Sequence, residues 1–515
     1  MALLGLMLLL AGCSRGESPT ELPATETPPP SDQSTETPPT SDQSDEAPTS
    51  EAPTSEAPAS GASAAQALAD FVEVFNAGDE DLLEAFATQR FSSALISQKG
   101  GLELIRYVLG RIYAEHGRVA LREVVQETGD SITAWIQSEA TGVWFLTTLT
   151  LEGEAEQSQI VRLDMIPDEG PAGAQEPAAP LSAEEFAALV DAHLDGLEEQ
   201  GLFSGVVLIA HEGEIVLLRA MGPMNEDGDL NNTDTRFALA STSKMFTAAA
   251  VVQLADQGLL DLDDPVSMYL PDYPEAMIQG VTVRHLLTHT SGLGSFFYSD
   301  IQPLTTIDQM LLVPIEPPAF APGADYRYSN GGFVLLGGVI ERVSGQTFWD
   351  YLDEHIFRPA GMESTGAFAP DDLPDNTAYG LVYQRLGVRV SNASILPARP
   401  GPAGDFYTTA EDMLRFATAL QDNTLIGPEF TEEMFTPAVS TDIVLSGATV
   451  EYGLGYTIST SGYGVRIGHG GGFPGISSWF AMYPDLGYTV VILSNYDSVG
   501  LVLGHWIDSQ MQRIQ

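Results

Sequence analysis

FALASTSKMFTAAAVV, residues 237–252, sets a lysine inside a run of small and apolar residues. The chain has 515 residues and holds only two lysines, Lys99 and Lys244, using arginine for almost every other cation. Ala238, Ala240, Ala248, Ala249 and Ala250 make the surrounding helix slim and easily buried. Burial of an unpaired ammonium drives it toward the neutral amine. Ser241 precedes Lys244 by three residues, so on a helix the two side chains share a face. A neutral amine beside a serine hydroxyl takes its proton and turns a weak nucleophile into a useful one. Ser-x-x-Lys also arises by chance, as a surface lysine beside a capping serine, so this stretch alone leaves both readings open.

Two further stretches weigh against chance. PGADYRYSNGGFVLLG (322–337) carries Tyr328-Ser329-Asn330 immediately before an apolar helix, and RIGHGGGFPG (466–475) carries His469-Gly470-Gly471 at the end of a strand. In this order and spacing the three stretches resemble the motifs of the serine β-lactamase and penicillin-binding-protein superfamily. The resemblance is nearest to the branch of class C β-lactamases, D-alanyl-D-alanine carboxypeptidases and related esterases. LLTHTSGL (286–293), PAGDFYTTAEDMLRF (402–416) and YGLGY (452–456) are typical of that branch, so the resemblance covers 200–495.

The resemblance implies acylation of Ser241, with Lys244 and the Tyr328 phenolate sharing the general-base role and Asn330 positioning the substrate. The backbone N–H groups of Ser241 and Gly472, beside Gly471, would form the oxyanion hole. Arginine could not replace Lys244, because its far higher pKa forbids the loss of a proton. His469 stands where many relatives carry the lysine of Lys-Thr-Gly. Gly470 stands where relatives that read a substrate carboxylate carry Thr or Ser. The missing hydroxyl leads to the expectation that β-lactams and C-terminal D-alanine are handled poorly, and that esters or amides without that carboxylate are preferred.

Composition narrows the remaining classes. With 71 acids against 21 bases the formal net charge is −50, and only ten of the acids precede residue 61. Such a chain repels phosphates, which argues against nucleic acid as a partner. The single cysteine, Cys13, allows neither an intramolecular disulfide nor a cysteine metal site. His285 and His289 come without a matching carboxylate pattern and are expected to be structural, as is His116 at a helix end. Gly470–Gly472 follow a histidine on a strand and do not form a dinucleotide fingerprint. No metal and no cofactor is expected. Met1–Gly12 is almost wholly apolar, and LAGC (10–13) resembles the lipobox of bacterial lipoproteins. That implies lipidation of Cys13 and an extracytoplasmic protein held at the membrane, since the apolar run is too short to span it.

The chain divides by composition. Residues 1–13 read as the signal and 14–60 as a disordered Pro/Ser/Thr/Glu tether, in which TETPPPSDQS (25–34) returns as TETPPTSDQS (35–44). Helical spacing followed by strand-like runs makes 62–168 a small α+β domain resembling the SnoaL-like cone fold. A linker covers 169–181. Residues 182–515 form the hydrolase domain, opening with the capping box SAEE (182–185). Strands are expected over 205–220, Tyr452–Ile458, Val465–Ile467, Ser478–Met482 and Tyr488–Leu493, helices over 243–257 and 331–344 in an insert, and a last helix over Val499–Arg513. The fold class expected is α+β: an α/β sandwich whose antiparallel sheet, joined by the two ends of the domain, is flanked by helices and carries a helical insert. The leading reading is a serine hydrolase acting on a small acyl or peptide substrate, cell-wall fragments and β-lactams included. The rival is a non-catalytic lipoprotein that keeps the fold as a binding or cell-wall scaffold module.

Overall fold

A computed structural model describes residues 63–153, 157–168, 170–171, 179–294, 305–313, 318–445 and 448–514. Cys13, the signal, the tether and residues 172–178 of the linker lie outside the described residues. Among the described residues no helix is long and apolar enough to cross a membrane.

The N-terminal unit runs through α1 (Ala64–Asn76), α2 (Glu80–Arg90), α3 (Ser93–Gln98) and α4 (Leu102–His116). An antiparallel meander follows, ordered β1 (Val119–Glu127), β2 (Ser131–Ser138), β3 (Trp144–Glu152), β4 (Gln159–Asp168). Ser63, Asp79 and Ser92 accept backbone N–H groups at the starts of the first three helices, satisfying donors that the helix itself cannot. β2 and β3 bury alternate residues, and Phe71, Phe75, Leu109, Ile136 and Phe145 share one core.

The second unit opens with α5 (Ala183–Glu199), capped reciprocally by Ser182 and Glu185. Its eight-stranded sheet is built from β5 (Gly205–His211) and β6 (Glu214–Met221) near the start of the unit and from six later strands. Between them lie the short pieces β7 (Phe237–Ala238), β8 (Leu381–Arg385), β9 (Val388–Ser391) and β10 (Tyr407–Thr408). The later strands are β11 (Val439–Leu445), β12 (Ala448–Tyr452), β13 (Thr457–Ser461), β14 (Gly464–Phe473), β15 (Ile476–Tyr483) and β16 (Tyr488–Ser494). The order β11-β12-β13-β14-β15-β16-β5-β6 joins the two ends of the unit, because β16 pairs with β5. Of the larger helices, α6 (Lys244–Asp256), α7 (Asn330–Ser344) and α8 (Ala410–Gln421) contribute to the core on one face of the sheet, and α5 and α9 (Val499–Met511) to the core on the other. Val206, Leu208, Val491 and Leu493 serve the first core, while Val207, Ile209, Val490 and Ile492 serve the second. Two-sided burial explains why these strands read as unbroken apolar runs. The architecture is the expected mixed α+β one.

Three local expectations need correction. The run Tyr452–Ile458 is not one strand: β12 ends at Tyr452, Gly455 turns the chain at φ 85°, and β13 begins at Thr457. A Cβ on Gly455 would stand 2.3 Å from that of Ala248, so the turn is pressed onto α6. β11 was not anticipated, and it pairs with β12 to widen the sheet. The strand expected over Val465–Ile467 continues to Phe473, so His469–Gly472 lie inside β14. Glycine is normally depleted in strands; here Gly471 admits the Leu239 backbone, while Gly470 and Gly472 face the Leu501 side chain.

Candidate active site

Ser241 lies in a 3-10 turn, Ala240–Ser243, that feeds directly into α6. Small polar residues fasten this turn to the sheet. The Thr242 and Ser478 hydroxyls are 2.8 Å apart, Thr242 Oγ1 also donates to the His469 carbonyl at 3.3 Å, and Ser478 Oγ donates to the Leu239 carbonyl at 2.7 Å. Gly471 makes the approach possible, since a Cβ there would fall 2.1 Å from the Leu239 oxygen. On the other side β7 pairs with β10, and the Leu239 N–H donates to Phe406 O at 2.9 Å. The first and third motifs are therefore in direct contact.

Lys244, the first residue of α6, is fully buried. Its Nζ donates to Ser241 Oγ at 3.2 Å and to the Ala403 carbonyl, and lies 5.0 Å from the Tyr328 ring centroid. Burial brings the amine down to about 7, against an opposing pull from Asp405. Asp405 is itself buried, with its backbone in the left-handed region at φ 75°, and burial lifts its carboxyl to about 6 while Lys244 holds it down. Held strain of this kind in a non-glycine residue is concentrated at functional sites.

The second motif reaches the same place from α7. Ser329 caps that helix, its Oγ accepting from the Gly332 N–H at 3.0 Å and donating to the Gly294 carbonyl at 2.9 Å. This sets Asn330 on the first turn and Tyr328 just ahead of it, with Ser241 near enough to oppose the rise in its phenol pKa. Burial of that phenol pushes its pKa up, which disfavours the phenolate expected from the resemblance. Of the two groups proposed to share the base role, Lys244 is the one poised to be in its deprotonated, basic form near pH 7.

His289 departs most from expectation. Read as structural, it sits within the site at φ 57°, its ring 4.3 Å from that of Tyr328. Its Nδ1 accepts the Ser329 N–H at 3.1 Å, and its Nε2 is 3.2 Å from Tyr452 Oη, which is 2.9 Å from His469 Nε2. His469 Nδ1 meets the Gly470 carbonyl at 2.7 Å. Burial lowers the His289 pKa well below its usual value and brings His469 to about 3, in both cases aided by Lys244. His285 and His116 behave as expected: one caps a short helix with Thr282, and the other ends α4 with its Nδ1 3.2 Å from Thr141 Oγ1. Gly472 is exposed, and Cβ atoms added at 470 and 472 would meet Leu501 at 2.7 and 3.6 Å. Leu501 thus flanks the third motif. Among the described residues no group of three or more His, Cys, Asp or Glu could hold a metal ion.

The sequence motifs name Ser241, Lys244, Tyr328, Asn330, His469, Gly471 and Gly472. They do not give a role to Ala403, Asp405, His289 or Tyr452, although all four fall in stretches typical of the resemblance.

Comparison with known proteins fits this geometry. The beta-lactamase family matches residues 186–503. Penicillin-binding protein 4* of Bacillus subtilis is 34% identical over 322 residues, covering 58% of this chain and 69% of that protein. Esterase EstB of Burkholderia gladioli is 30% identical over 322 residues, covering 54% of this chain and 80% of that one. The crystal structure of a penicillin-binding protein from Bacillus halodurans superposes with a TM-score of 0.56 at 33% identity, covering 62% of this chain and 99% of that one. The chain belongs to the beta-lactamase family and is a serine hydrolase of that fold, akin to penicillin-binding proteins and esterases.

Proposed function

We propose that the protein is an extracytoplasmic hydrolase, lipid-anchored through Cys13, that cleaves small uncharged esters or amides through an acyl-enzyme on Ser241. One observation carries the chemistry: a fully buried amine, brought to about 7, rests 3.2 Å from the Ser241 hydroxyl. Neutral Lys244 takes the Ser241 proton as Oγ attacks the substrate carbonyl. The N–H groups of Ser241 and Gly472 receive the oxyanion, and Asn330 orients the acyl part. Tyr328, kept as a phenol, relays the proton from the Lys244 ammonium to the departing alcohol or amine, which leaves Lys244 neutral for the next step. Water then attacks the acyl ester, with Lys244 again as base, and returns Ser241 to its free form. The bare Gly470 and the apolar flank of Leu501 support a preference for substrates without a carboxylate, and kinship with an esterase supports ester cleavage.

The test is incubation with p-nitrophenyl acetate and with an alkyl fluorophosphonate, reading the mass of the acyl or phosphonyl adduct by intact-protein and peptide mass spectrometry. Ser241→Ala should abolish turnover and adduct while keeping the unfolding midpoint. Undiminished turnover in that variant would sink the mechanism. A native protein that forms no adduct with any acyl probe would favour the scaffold reading instead. Palmitate labelling of the full chain, lost in Cys13→Ser, tests the anchor.

A further inference from the structure

The contacts that join His289, Tyr452 and His469 have a direction, and both ends fix it. A backbone N–H can only donate, so Ser329 makes His289 Nδ1 an acceptor at 3.1 Å. The neutral ring then carries its proton on Nε2 and donates to Tyr452 Oη at 3.2 Å. Tyr452 has one proton, which goes to His469 Nε2 at 2.9 Å. His469 Nδ1 therefore bears the hydrogen and donates to Gly470 O, an acceptor only, at 2.7 Å. Every donor in the chain meets one acceptor. All three side chains are nearly sealed from solvent, His289 at 0%, Tyr452 at 1% and His469 at 4% exposure.

Adding a proton to His469 breaks this order. Its Nε2 would become a donor aimed at Tyr452 Oη, which already receives the His289 hydrogen, and the tyrosine proton would lose its acceptor. In a buried network such a mismatch is costly. The groups facing the imidazole add to the resistance: Lys244 on α6 repels a second cation, and Tyr328 and Tyr452 bring no negative charge to offset one. Around His289 stand Tyr326, Tyr328 and Tyr452, with Lys244 and His469 as its charged or titratable neighbours.

We propose that His289 and Tyr452 are positioning residues that lock His469 as the neutral Nδ1–H tautomer, so that the third motif offers no cation and the site discriminates against anionic acyl substrates. This rests on the reading of Ser241 as the acylated residue, and it names what selects the substrate there. The same chain ties the Ser329 backbone, and with it the placement of Tyr328, to β14. The protein's net charge of −50 acts in the same sense by repelling anions from the surface.

Two readouts test the proposal, the first independent of any activity. In protein labelled with 15N-histidine, His469 should show one protonated nitrogen, Nδ1, and no titration between pH 5 and 8. A His469 that titrates in that interval, or carries its hydrogen on Nε2, would overturn the lock. In Tyr452→Phe the donor that pins Nε2 is gone, so the single Nδ1–H signal should give way to exchange between the two neutral tautomers, while burial and Lys244 still keep the ring uncharged. The second readout is the ratio of kcat/KM for a matched pair, p-nitrophenyl butyrate and the p-nitrophenyl half-ester of succinate. Tyr452→Phe, in which burial still keeps His469 uncharged, should leave the succinyl/butyryl ratio near native at both pH 5.5 and pH 8. His469→Arg, whose guanidinium keeps its charge even when buried, should raise the ratio about tenfold at both pH values, the scale of one charge-assisted hydrogen bond. A ratio unmoved in His469→Arg would overturn the selection role. If no ester is cleaved at all, the hydrolase reading fails, while the nitrogen spectrum still decides the tautomer.

Discussion

In the N-terminal unit Lys99 meets Asp164 at 3.1 Å, with Arg162 on the second carboxylate oxygen at 2.6 Å. In the hydrolase unit Lys244 meets a serine hydroxyl and a backbone carbonyl. Both lysines are buried, at 6% and 0% exposure, and they are the only two in the chain. A carboxylate in contact answers the charge of a buried ammonium, whereas neutral oxygens answer only its hydrogens. The first arrangement holds helix and sheet together. The second gives up stability to keep a base available, and the amine falls to about 7. Burial alone does not make a lysine functional; the choice of partner does.

The comparison is broken most sharply by removing the proton-shedding property while keeping the charge. Lys244→Arg should lower kcat/KM by about two to four decades, the usual worth of a general base. Lys99→Arg should stay within about twofold of native, since it keeps an ion pair far from the site. A Lys244→Arg enzyme with native kcat/KM would remove Lys244 from the mechanism.

Methionine at the two positions should move stability in opposite directions. Lys99→Met leaves the buried Asp164 with Arg162 alone and should cost about 3 kcal/mol in urea unfolding. For Lys244 the sign follows from proton counting. Its folded pKa is about 7 against 10.5 for the ordinary group, so between these values the unfolded chain binds the extra proton and stability rises with pH. Below pH 7 the full penalty is present, on the order of 5 kcal/mol before the lost hydrogen bonds are subtracted. Lys244→Met should therefore be more stable than native at pH 6, with an advantage that fades as pH approaches 10.5. A destabilised variant at pH 6 would mean that the amine is better satisfied than its partners suggest.

The native pH profile comes next in size. If neutral Lys244 is the base, kcat/KM should be half-maximal near pH 7 and fall tenfold per unit below it. A base limb set by Tyr328 would lie far higher, because burial raises its phenol. Stopped assays from pH 5 to 9 separate the two.

What the sequence discloses of this site follows from how local each feature is. Ser241 and Lys244 share one turn, and Tyr328 and Asn330 frame a helix cap, so contiguous motifs reveal them. His289 and Tyr452 are 163 residues apart and are joined only by the fold. Nothing near either residue announces the other, and a histidine without a neighbouring carboxylate reads as structural. Asp405 is hidden for another reason. PAGDFYTT lies in a stretch typical of the resemblance, but nothing in it gives the aspartate a role, and only the backbone, at φ 75°, brings its carboxyl close to Lys244. The strands of the sheet centre were legible from their apolar runs, whereas β14 was cut short because three successive glycines suppress the strand signal.

Asp405 supplies the finest test, since it is the one feature that makes the surroundings of Lys244 slightly resemble those of Lys99. Its carboxylate pulls the Lys244 pKa up, opposing burial. Asparagine keeps the size and tolerates the left-handed backbone, so Asp405→Asn removes the charge with little strain. Without that charge neutral Lys244 is favoured further, and the acid limb of kcat/KM should move to lower pH by a fraction of a unit to about one unit. The plateau rate above pH 8 should fall modestly or stay, because a weaker base does the same work. Asp405→Gly should shift the limb by the same amount and also relieve the backbone, raising the unfolding midpoint. An acid limb that disappears in both variants would mean that Asp405, rather than Lys244, holds the proton that governs the rate.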